Sequence, residues 1–172
     1  MIILRIDKLV MEYSGTSYGR VDKATALQKA EHFCAYQERS QQEVRDKLYS
    51  YGLAASDVEE VIGTLIESDF LNEKRFAFAY ATGKFRQKGW GRIKIKQGLK
   101  FKKVSAPLIE KAIWQLDDEE YIEKLKVLLQ KKAAMLAEKD PYRRKHKLIS
   151  YALTRGYEND LILSVLNSSG LL

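Results

Sequence analysis

The sequence predicts an all-α protein, an elongated array of three tandem three-helix repeats with about nine helices in all. Apolar residues recur at helical spacing along most of the chain, and this apolar pattern itself repeats after about 50 residues. Ten tyrosines and only two prolines favour an ordered, helix-rich chain over a linker-like one. A period of this length indicates units stacked in a row, each contacting mainly its neighbours.

The first repeat is expected at residues 23–71, after an N-terminal segment, residues 1–22, whose pattern is poorly defined. In that segment the alternation around Ile2, Leu4 and Ile6 is compatible with a short strand, and residues 14–17 resemble a flexible break. A helical apolar pattern starts at Lys23. Two capping boxes, at residues 40–43 and 56–59, predict the starts of the second and third helices.

The second repeat is expected at residues 72–118 and the third at residues 119–172. A helix that opens after Asn72 is broken at residues 89–91, and a helix follows over Arg92–Phe101. A turn that contains Pro107 leads into the last helix of this repeat. In the third repeat, Asp140 followed by Pro141 predicts a helix start, and the same helix ends at a glycine.

Superposing the chain on itself supports the repeats. A shift of 51 residues lays seven apolar residues of the first repeat on seven of the second: Val44 on Ile95, Leu48 on Leu99, Leu53 on Val104, Val58 on Ile109, Val61 on Ala112, Ile62 on Ile113 and Leu65 on Leu116. A shift of 104 lays Gly156 on Gly52 and Val165 on Val61. Agreement at one offset is what a duplicated helical unit produces.

Charge is distributed unevenly along the chain, which has a net charge of +7 and a pI near 9.3. The stretch Lys74–Ile109 contains eleven lysines and arginines and no acid, whereas Glu31–Glu73 contains ten acids and three bases. Apolar residues interleave with these cations at helical spacing, which predicts that the stretch folds. A folded surface of one sign suits a polyanion or an acidic protein.

Two basic clusters are the candidate partner- and nucleic-acid-binding sites. The first is predicted because its stretch offers no acid to pair with; it comprises Lys84, Arg86, Lys88, Arg92, Lys96, Lys100 and Lys103. The second comprises Arg143, Arg144, Lys145 and Lys147. Three cations of the first cluster, at positions 92, 96 and 100, are spaced to form one stripe on a helix. The alternative for both clusters is a solvated face. Three aromatic residues are expected to serve packing first: Trp90, Tyr142 and Tyr157.

Several classes of function find no support. The single cysteine, Cys34, excludes a disulfide or cysteine-based metal site within one chain, and it is expected to be a buried thiol in a reducing, cytoplasmic setting. No stretch has the length and apolarity of a membrane span or the form of a signal peptide. His32 and His146 are isolated, residues 89–91 lack the ending of a phosphate loop, and the acidic run at 117–120 resembles a helix start. The sequence therefore predicts no catalysis, cofactor or metal.

Three segments, in order, resemble the repeat signatures of the RecX family, the regulators of RecA. The middle repeat of that family resembles Phe70-Leu-Asn-Glu-Lys-Arg-Phe76-Ala77 followed by Lys88-Gly89-Trp90-Gly91 and Ile93-x-x-x-Gln97-x-Leu99. Its first repeat resembles Glu38-Arg39-Ser40-x-x-Glu43-Val44-x-x-Lys47-Leu48. Its third resembles Lys147-Leu148-Ile149-x-x-Ala152-Leu153-x-Arg155-Gly156-Tyr157. The resemblance covers about residues 24–168. Asn72 stands where the family usually has an acid, and Arg92 where it often has proline.

The resemblance implies a negative modulator of RecA. Such a protein binds the RecA–DNA filament and restrains filament growth, ATP hydrolysis and strand exchange. We expect it to be a monomer that also contacts the phosphate backbone of single- and double-stranded DNA, more weakly than it binds RecA. The alternative is a nucleic-acid-binding helical repeat protein that acts without RecA. The helix Arg92–Phe101 is rich in lysine and has a single glutamine, Gln97, which suits contact with phosphates rather than base edges.

Overall fold

The computed structural model describes residues 21–170, which form nine helices and no strand. The helices are α1 (Lys23–Tyr36), α2 (Gln41–Ser50), α3 (Ala55–Glu67), α4 (Glu73–Lys88), α5 (Arg92–Phe101), α6 (Ala106–Trp114), α7 (Asp118–Ala134), α8 (Pro141–Arg155) and α9 (Asn159–Ser169). They form three tandem three-helix repeats, which confirms the predicted fold class. The strand and the break predicted in the N-terminal segment lie outside the described residues. Among residues 21–170, no helix combines the length and the apolarity needed to cross a membrane.

One of the two predicted capping boxes is confirmed and the other is wrong. The Ser40 hydroxyl accepts a hydrogen bond from the Glu43 amide at 3.1 Å, and the Glu43 carboxylate accepts one from the Ser40 amide at 3.0 Å. Helix α3 instead begins at Ala55 after Ala54, which offers no side-chain cap. Since the extended residue is Ala54, Ser56 already has helical backbone and its hydroxyl is not placed to cap the helix.

The apolar residues that the shift of 51 superposes are core residues in both the first and the second repeat. All fourteen residues of the seven superposed pairs are buried, and none exposes more than 7% of its surface. The turn between the second and third helices repeats too. Gly52, Lys103 and Gly156 occupy it with φ angles of 79°, 56° and 89°. Two repeats use glycine for this left-handed turn, and the second repeat uses a lysine.

The described residues form two hydrophobic cores, although they make up three repeats. One core belongs to the first repeat and extends from Ala26 to Leu71; it includes the buried Cys34. The other extends from Phe76 to Leu166 and passes through both the second and the third repeat. The second and third repeats therefore form one packed unit, to which the first is attached.

Helix α5 begins directly on the end of helix α8. The Gly91 amide donates to the Arg155 carbonyl at 2.8 Å, and the Ile93 amide donates to the Gly156 carbonyl at 3.0 Å. These contacts satisfy amides at the start of one helix with carbonyls at the end of another. Glycine is required at position 91, because a Cβ atom there would lie 2.2 Å from the Gly156 oxygen. The joint between the second and third repeats thus depends on direct backbone contact.

Two buried tyrosines complete this joint. The Tyr121 hydroxyl accepts a hydrogen bond from the Arg92 amide at 2.9 Å and donates one to the Glu158 carboxylate at 2.8 Å. Its ring lies 5.0 Å from the Tyr157 ring. Burial raises the pKa of both phenols, that of Tyr157 to about 12. Unlike the hydroxyl of Tyr121, that of Tyr157 is buried with no hydrogen-bond partner among the described residues.

The burial of Trp90, Tyr142 and Tyr157 tests the prediction that all three serve packing. Tyr157 is fully buried and Trp90 packs partly buried against the larger core, so the packing role predicted for both is confirmed. The prediction for Tyr142 is wrong, because 80% of its surface is exposed. Tyr142 lies in the first turn of α8, on the side that no other described helix covers.

The joint between the first and second repeats is ionic. Lys102 and Glu43 form an ion pair at 2.8 Å, and Arg75 pairs with Glu38 at the same distance. Burial by itself would raise the pKa of Glu43, but hydrogen bonds from Lys102 and Ser40 outweigh burial and lower it. The first repeat is therefore held to the rest by charge pairs, not by a continuous apolar core.

Candidate nucleic-acid and partner-binding surfaces

The stretch Lys74–Ile109 contains no acid, but the fold brings carboxylates from other segments next to it. Five of its eleven cations pair with carboxylates from outside it: Arg75 with Glu38 and Asp69, Arg86 with Glu120, Arg92 with Asp118, Lys96 with Glu110, and Lys102 with Glu43. The premise that these cations lack acids to pair with is therefore wrong. The helices that flank α4 and α5 bring the carboxylates in.

The seven cations of the first candidate cluster fall into three kinds. Three of them, Arg86, Arg92 and Lys96, are in ion pairs. Lys84 lies 5.0 Å above the ring of Trp90, a cation–π contact. The remaining three are exposed and have no ion-pair partner among residues 21–170; they are Lys88, Lys100 and Lys103.

The predicted stripe on α5 is reduced to one free cation among the described residues. Arg92 binds Asp118, and its guanidinium lies 4.1 Å from the centre of the Tyr121 ring. Lys96 binds Glu110 at 2.8 Å. Lys100 alone extends from the stripe into solvent without a carboxylate. Arg92 is therefore foremost a residue of the joint between the second and third repeats.

The four cations of the second candidate cluster also have different surroundings. Arg144 donates hydrogen bonds to three backbone carbonyls at the end of α7 and just beyond it, including that of Ala133 at 2.9 Å. Lys147 pairs with Glu138 at 2.8 Å, and this contact lowers the pKa of that carboxyl. Arg143 is exposed and Lys145 half-buried. Two members of the cluster thus hold the connection between α7 and α8.

Two clefts lie at the two joints between repeats, and we call them the first and the second junction cleft. The first has a volume of about 530 Å³, and its lining includes Glu38, Glu43, Tyr80, Lys84, Lys88 and Lys102. The second has a volume of about 680 Å³, and its lining includes two acids, Glu120 and Glu123, beside Arg86, Lys88, Lys124, Lys131, Tyr151 and Arg155. Gln87 and Lys88 border both clefts, so the end of α4 forms the ridge between them.

Three cations of the second junction cleft were not predicted from the sequence. Lys124, Lys131 and Arg155 belong to the third repeat, where acids are interspersed and no charge run marks them. Lys124 donates to the Arg86 carbonyl at 3.0 Å, and Arg155 donates to the Lys88 carbonyl at 3.2 Å. These contacts satisfy carbonyls at the C-terminus of α4, which concentrates positive charge beside Lys88.

Grooves lined by cations can hold a chain of phosphates without base-specific contacts. In the described part of the chain, no group of His, Cys, Asp and Glu side chains is arranged to hold a metal ion. The described helices therefore define an all-α protein built from three tandem helical repeats, with a cleft at each joint between repeats.

Comparison with known proteins identifies its family. The chain matches the sequence models of the first, second and third three-helix domains of RecX at residues 26–65, 72–113 and 118–166. The three matches follow one another in the family's order. The chain belongs to the RecX family of regulatory proteins.

Named relatives agree with this assignment. The chain is 32% identical over 133 residues to the regulatory protein RecX of Clostridium botulinum (strain Eklund 17B / Type B), a match that covers 76% of this chain and 62% of the relative. It is 32% identical over 131 residues to RecX of Halalkalibacterium halodurans, covering 76% of this chain and 49% of the relative. The match thus spans between about half and three fifths of these relatives' length.

Solved structures show the same architecture. The crystal structure of RecX from Lactobacillus salivarius matches with a TM-score of 0.79 and 26% identity, over 87% of this chain and 97% of that one. A second RecX crystal structure matches with a TM-score of 0.75 at 18% identity, a likeness of fold alone.

Proposed function

We propose that this protein binds the RecA–DNA filament in the cytoplasm and negatively modulates RecA, restraining its ATPase, filament growth and strand exchange. In this proposal it acts as a monomer and without catalysing a reaction itself. The observation that carries the proposal is the match of all three repeats, in order, to the three RecX domains. A regulator of a filament has to recognise a long periodic surface, and a tandem array of repeats is suited to that task.

The junction clefts supply the DNA contact in this proposal. Lys84 and Lys88 line the first cleft, and Lys88 and Lys124 line the second, so one ridge presents cations on both sides. Contact with phosphates releases counterions, so the affinity for DNA should fall steeply as salt increases. Lys100 and Lys103, which are free of ion pairs among the described residues, extend the same charge along the second repeat.

The test is RecA-catalysed ATP hydrolysis on single-stranded DNA with this protein titrated in. Inhibition well below one protein per RecA subunit is the expected result, because a filament regulator acts on many subunits at once. Inhibition that appears only when the protein can cover all the DNA would contradict the proposal. It would favour the alternative, a nucleic-acid-binding repeat protein that acts without RecA, which the cationic clefts also suit.

Two double charge-reversal variants, one in the first junction cleft and one outside both clefts, test whether inhibition of the RecA ATPase depends on the end of α4. Lys84→Glu with Lys88→Glu should weaken inhibition by at least about tenfold, since both side chains line the first junction cleft. Lys29→Glu with Lys139→Glu changes the net charge equally at exposed lysines outside both clefts and should leave inhibition nearly unchanged. Equal losses in the two double variants would assign the effect to overall charge instead of to the clefts.

A further inference from the structure

The second repeat carries an exposed tryptophan that its fold does not need. Trp114, the last residue of α6, exposes 89% of its surface. The shifts that superpose the repeats place Gly63 and Asn167 at the corresponding positions. The same helical position is thus filled by a glycine, a tryptophan and an asparagine. An exposed indole at a site where the other repeats use no side chain or a small polar one is the kind of residue that anchors protein interfaces.

The surroundings of Trp114 are partly apolar and positively charged. A shallow hollow of about 580 Å³ beside the indole is lined by six residues that we call the Trp114 face: Lys74, Phe78, Glu110, Lys111, Trp114 and Gln115. Lys74 and Lys111 are exposed and have no ion-pair partner among the described residues. Phe78 is half-buried and lines the same hollow, so it adds apolar surface beside the indole.

A second hollow beside Trp114 distinguishes a protein partner from a nucleic acid. This hollow, of about 360 Å³, shares Glu110 and Trp114 with the first and is lined also by Arg92, Lys96 and Asp118. Each of these two cations is bound to one of the two acids, so this wall is neutral and presents carboxylate oxygens. A neutral wall has no net charge to attract a phosphate backbone, whereas neutralised ion pairs around an aromatic residue are ordinary at the rim of a protein interface.

We propose that the Trp114 face is a protein-contact surface, in which Trp114 inserts into an apolar pocket and Lys74 and Lys111 meet carboxylates at the rim of that pocket. The inference rests on the proposed function and specifies it: the partner is the RecA protein of the filament. The junction clefts then meet the DNA. The chain contacts the two components of the filament with two separate surfaces.

The repeats themselves supply the test variant. Trp114→Asn copies the residue of the third repeat, so the fold should be retained, which thermal unfolding checks. Half-inhibition of the RecA ATPase should require at least about tenfold more Trp114→Asn than wild type, as expected for an aromatic anchor. Affinity for a labelled single-stranded oligonucleotide without RecA, read by fluorescence anisotropy, should change less than about twofold. Tyr142→Asn removes another exposed aromatic residue and is the matched control.

Each contrary result overturns the inference in its own way. A loss of affinity for the naked oligonucleotide in Trp114→Asn would make the indole a platform for base stacking, not a protein anchor. Unchanged inhibition in Trp114→Asn would remove Trp114 from any contact with the filament. Wild-type protein that neither inhibits RecA nor binds its filaments would overturn the proposed function, and with it the partner named here. The wild-type experiment therefore tests the proposed function, and the Trp114→Asn experiment separately tests the protein contact.

Discussion

The Gly91 amide donates a 2.8 Å hydrogen bond to the Arg155 carbonyl, and this contact joins the start of α5 to the end of α8. The two helices belong to different repeats and meet backbone to backbone. A side chain at position 91 would enter the space of the Gly156 carbonyl. The joint between the second and third repeats is therefore sensitive to a single methyl group.

Gly91→Ala should lower the free energy of unfolding by about 1–3 kcal/mol, because the new Cβ can be accommodated only by moving backbone. Gly63→Ala is the control, since Gly63 lies within α3 and a Cβ there meets no atom within 4 Å. Alanine is the better helix former by about 1 kcal/mol, so this variant should be as stable as wild type or more so. Denaturant unfolding of both variants measures the difference; similar stabilities would contradict the backbone contact.

Removing the hydroxyl from Tyr121 should have a different effect from removing it from the neighbouring Tyr157. Tyr121→Phe leaves the Arg92 amide and the Glu158 carboxylate without their partner, so a loss of about 1–3 kcal/mol is expected. Tyr157→Phe removes a buried hydroxyl that has no partner among the described residues and should be neutral or stabilising. Chemical denaturation of both variants is the measurement. A loss in Tyr157→Phe as large as in Tyr121→Phe would show that the Tyr157 hydroxyl is satisfied.

The same tyrosines predict a loss of stability in alkali. Burial raises the pKa of Tyr157 from the ordinary 10.0 to about 12, so the folded state favours the protonated phenol. Its contribution is fully present below pH 10 and is lost as the pH rises towards 12. Wild-type protein should therefore lose more unfolding free energy than Tyr157→Phe between about pH 10 and about pH 12. Parallel losses in the two proteins would show that Tyr157 does not contribute.

Lys103→Gly should stabilise the second repeat by about 1 kcal/mol, because its φ of 56° costs a side chain that amount in the left-handed region. Gly52 and Gly156 already occupy the equivalent turns of the other repeats. Thermal unfolding measures the gain, and Lys100→Gly, in the last turn of α5, is the destabilising control. A fall in stability on Lys103→Gly would mean that contacts of the lysine outweigh the cost of its backbone conformation.

The ionic joint between the first and second repeats should open when Lys102 is removed. Lys102→Ala deletes the pair with Glu43, so a protease should cut the connection at residues 68–72 severalfold faster at low salt. High salt should accelerate cleavage of the wild type and narrow the difference. Lys96→Ala is the matched control, because its partner Glu110 lies in the same repeat. Equal cleavage of all three proteins would show that the ion pair does not restrain the joint.

The sequence predicted the cores because burial follows periodicity. Val44 and Ile95 are identified by their spacing alone, and both are fully buried. The sequence does not locate the start of α3, because a capping box is a local pattern and Ala54 adopts the extended conformation without any side chain that marks it. It does not show that Tyr142 is exposed either, because an aromatic residue near a helix start carries no sign of which side faces the solvent.

The candidate sites were less predictable because charge pairing depends on three-dimensional neighbours. Arg86 and Glu120 are 34 residues apart, and no spacing rule connects them. Lys124 was missed for the same reason, because its place in the second junction cleft depends on α7 packing beside the end of α4. Runs of one charge in a sequence locate a basic segment, but the packing of neighbouring helices decides which of its cations remain free.

The docking of α5 on α8 also sets an order of events during synthesis on a ribosome. The first repeat has its own core and can fold once its three helices have emerged. The second repeat cannot be completed then, since Lys94 and its partner Thr154 are 60 residues apart and the carbonyls that receive the start of α5 are made late. The apolar surface of the second repeat stays uncovered while α7 and α8 are translated. The nascent chain is therefore most in need of protection from aggregation in the middle of its length.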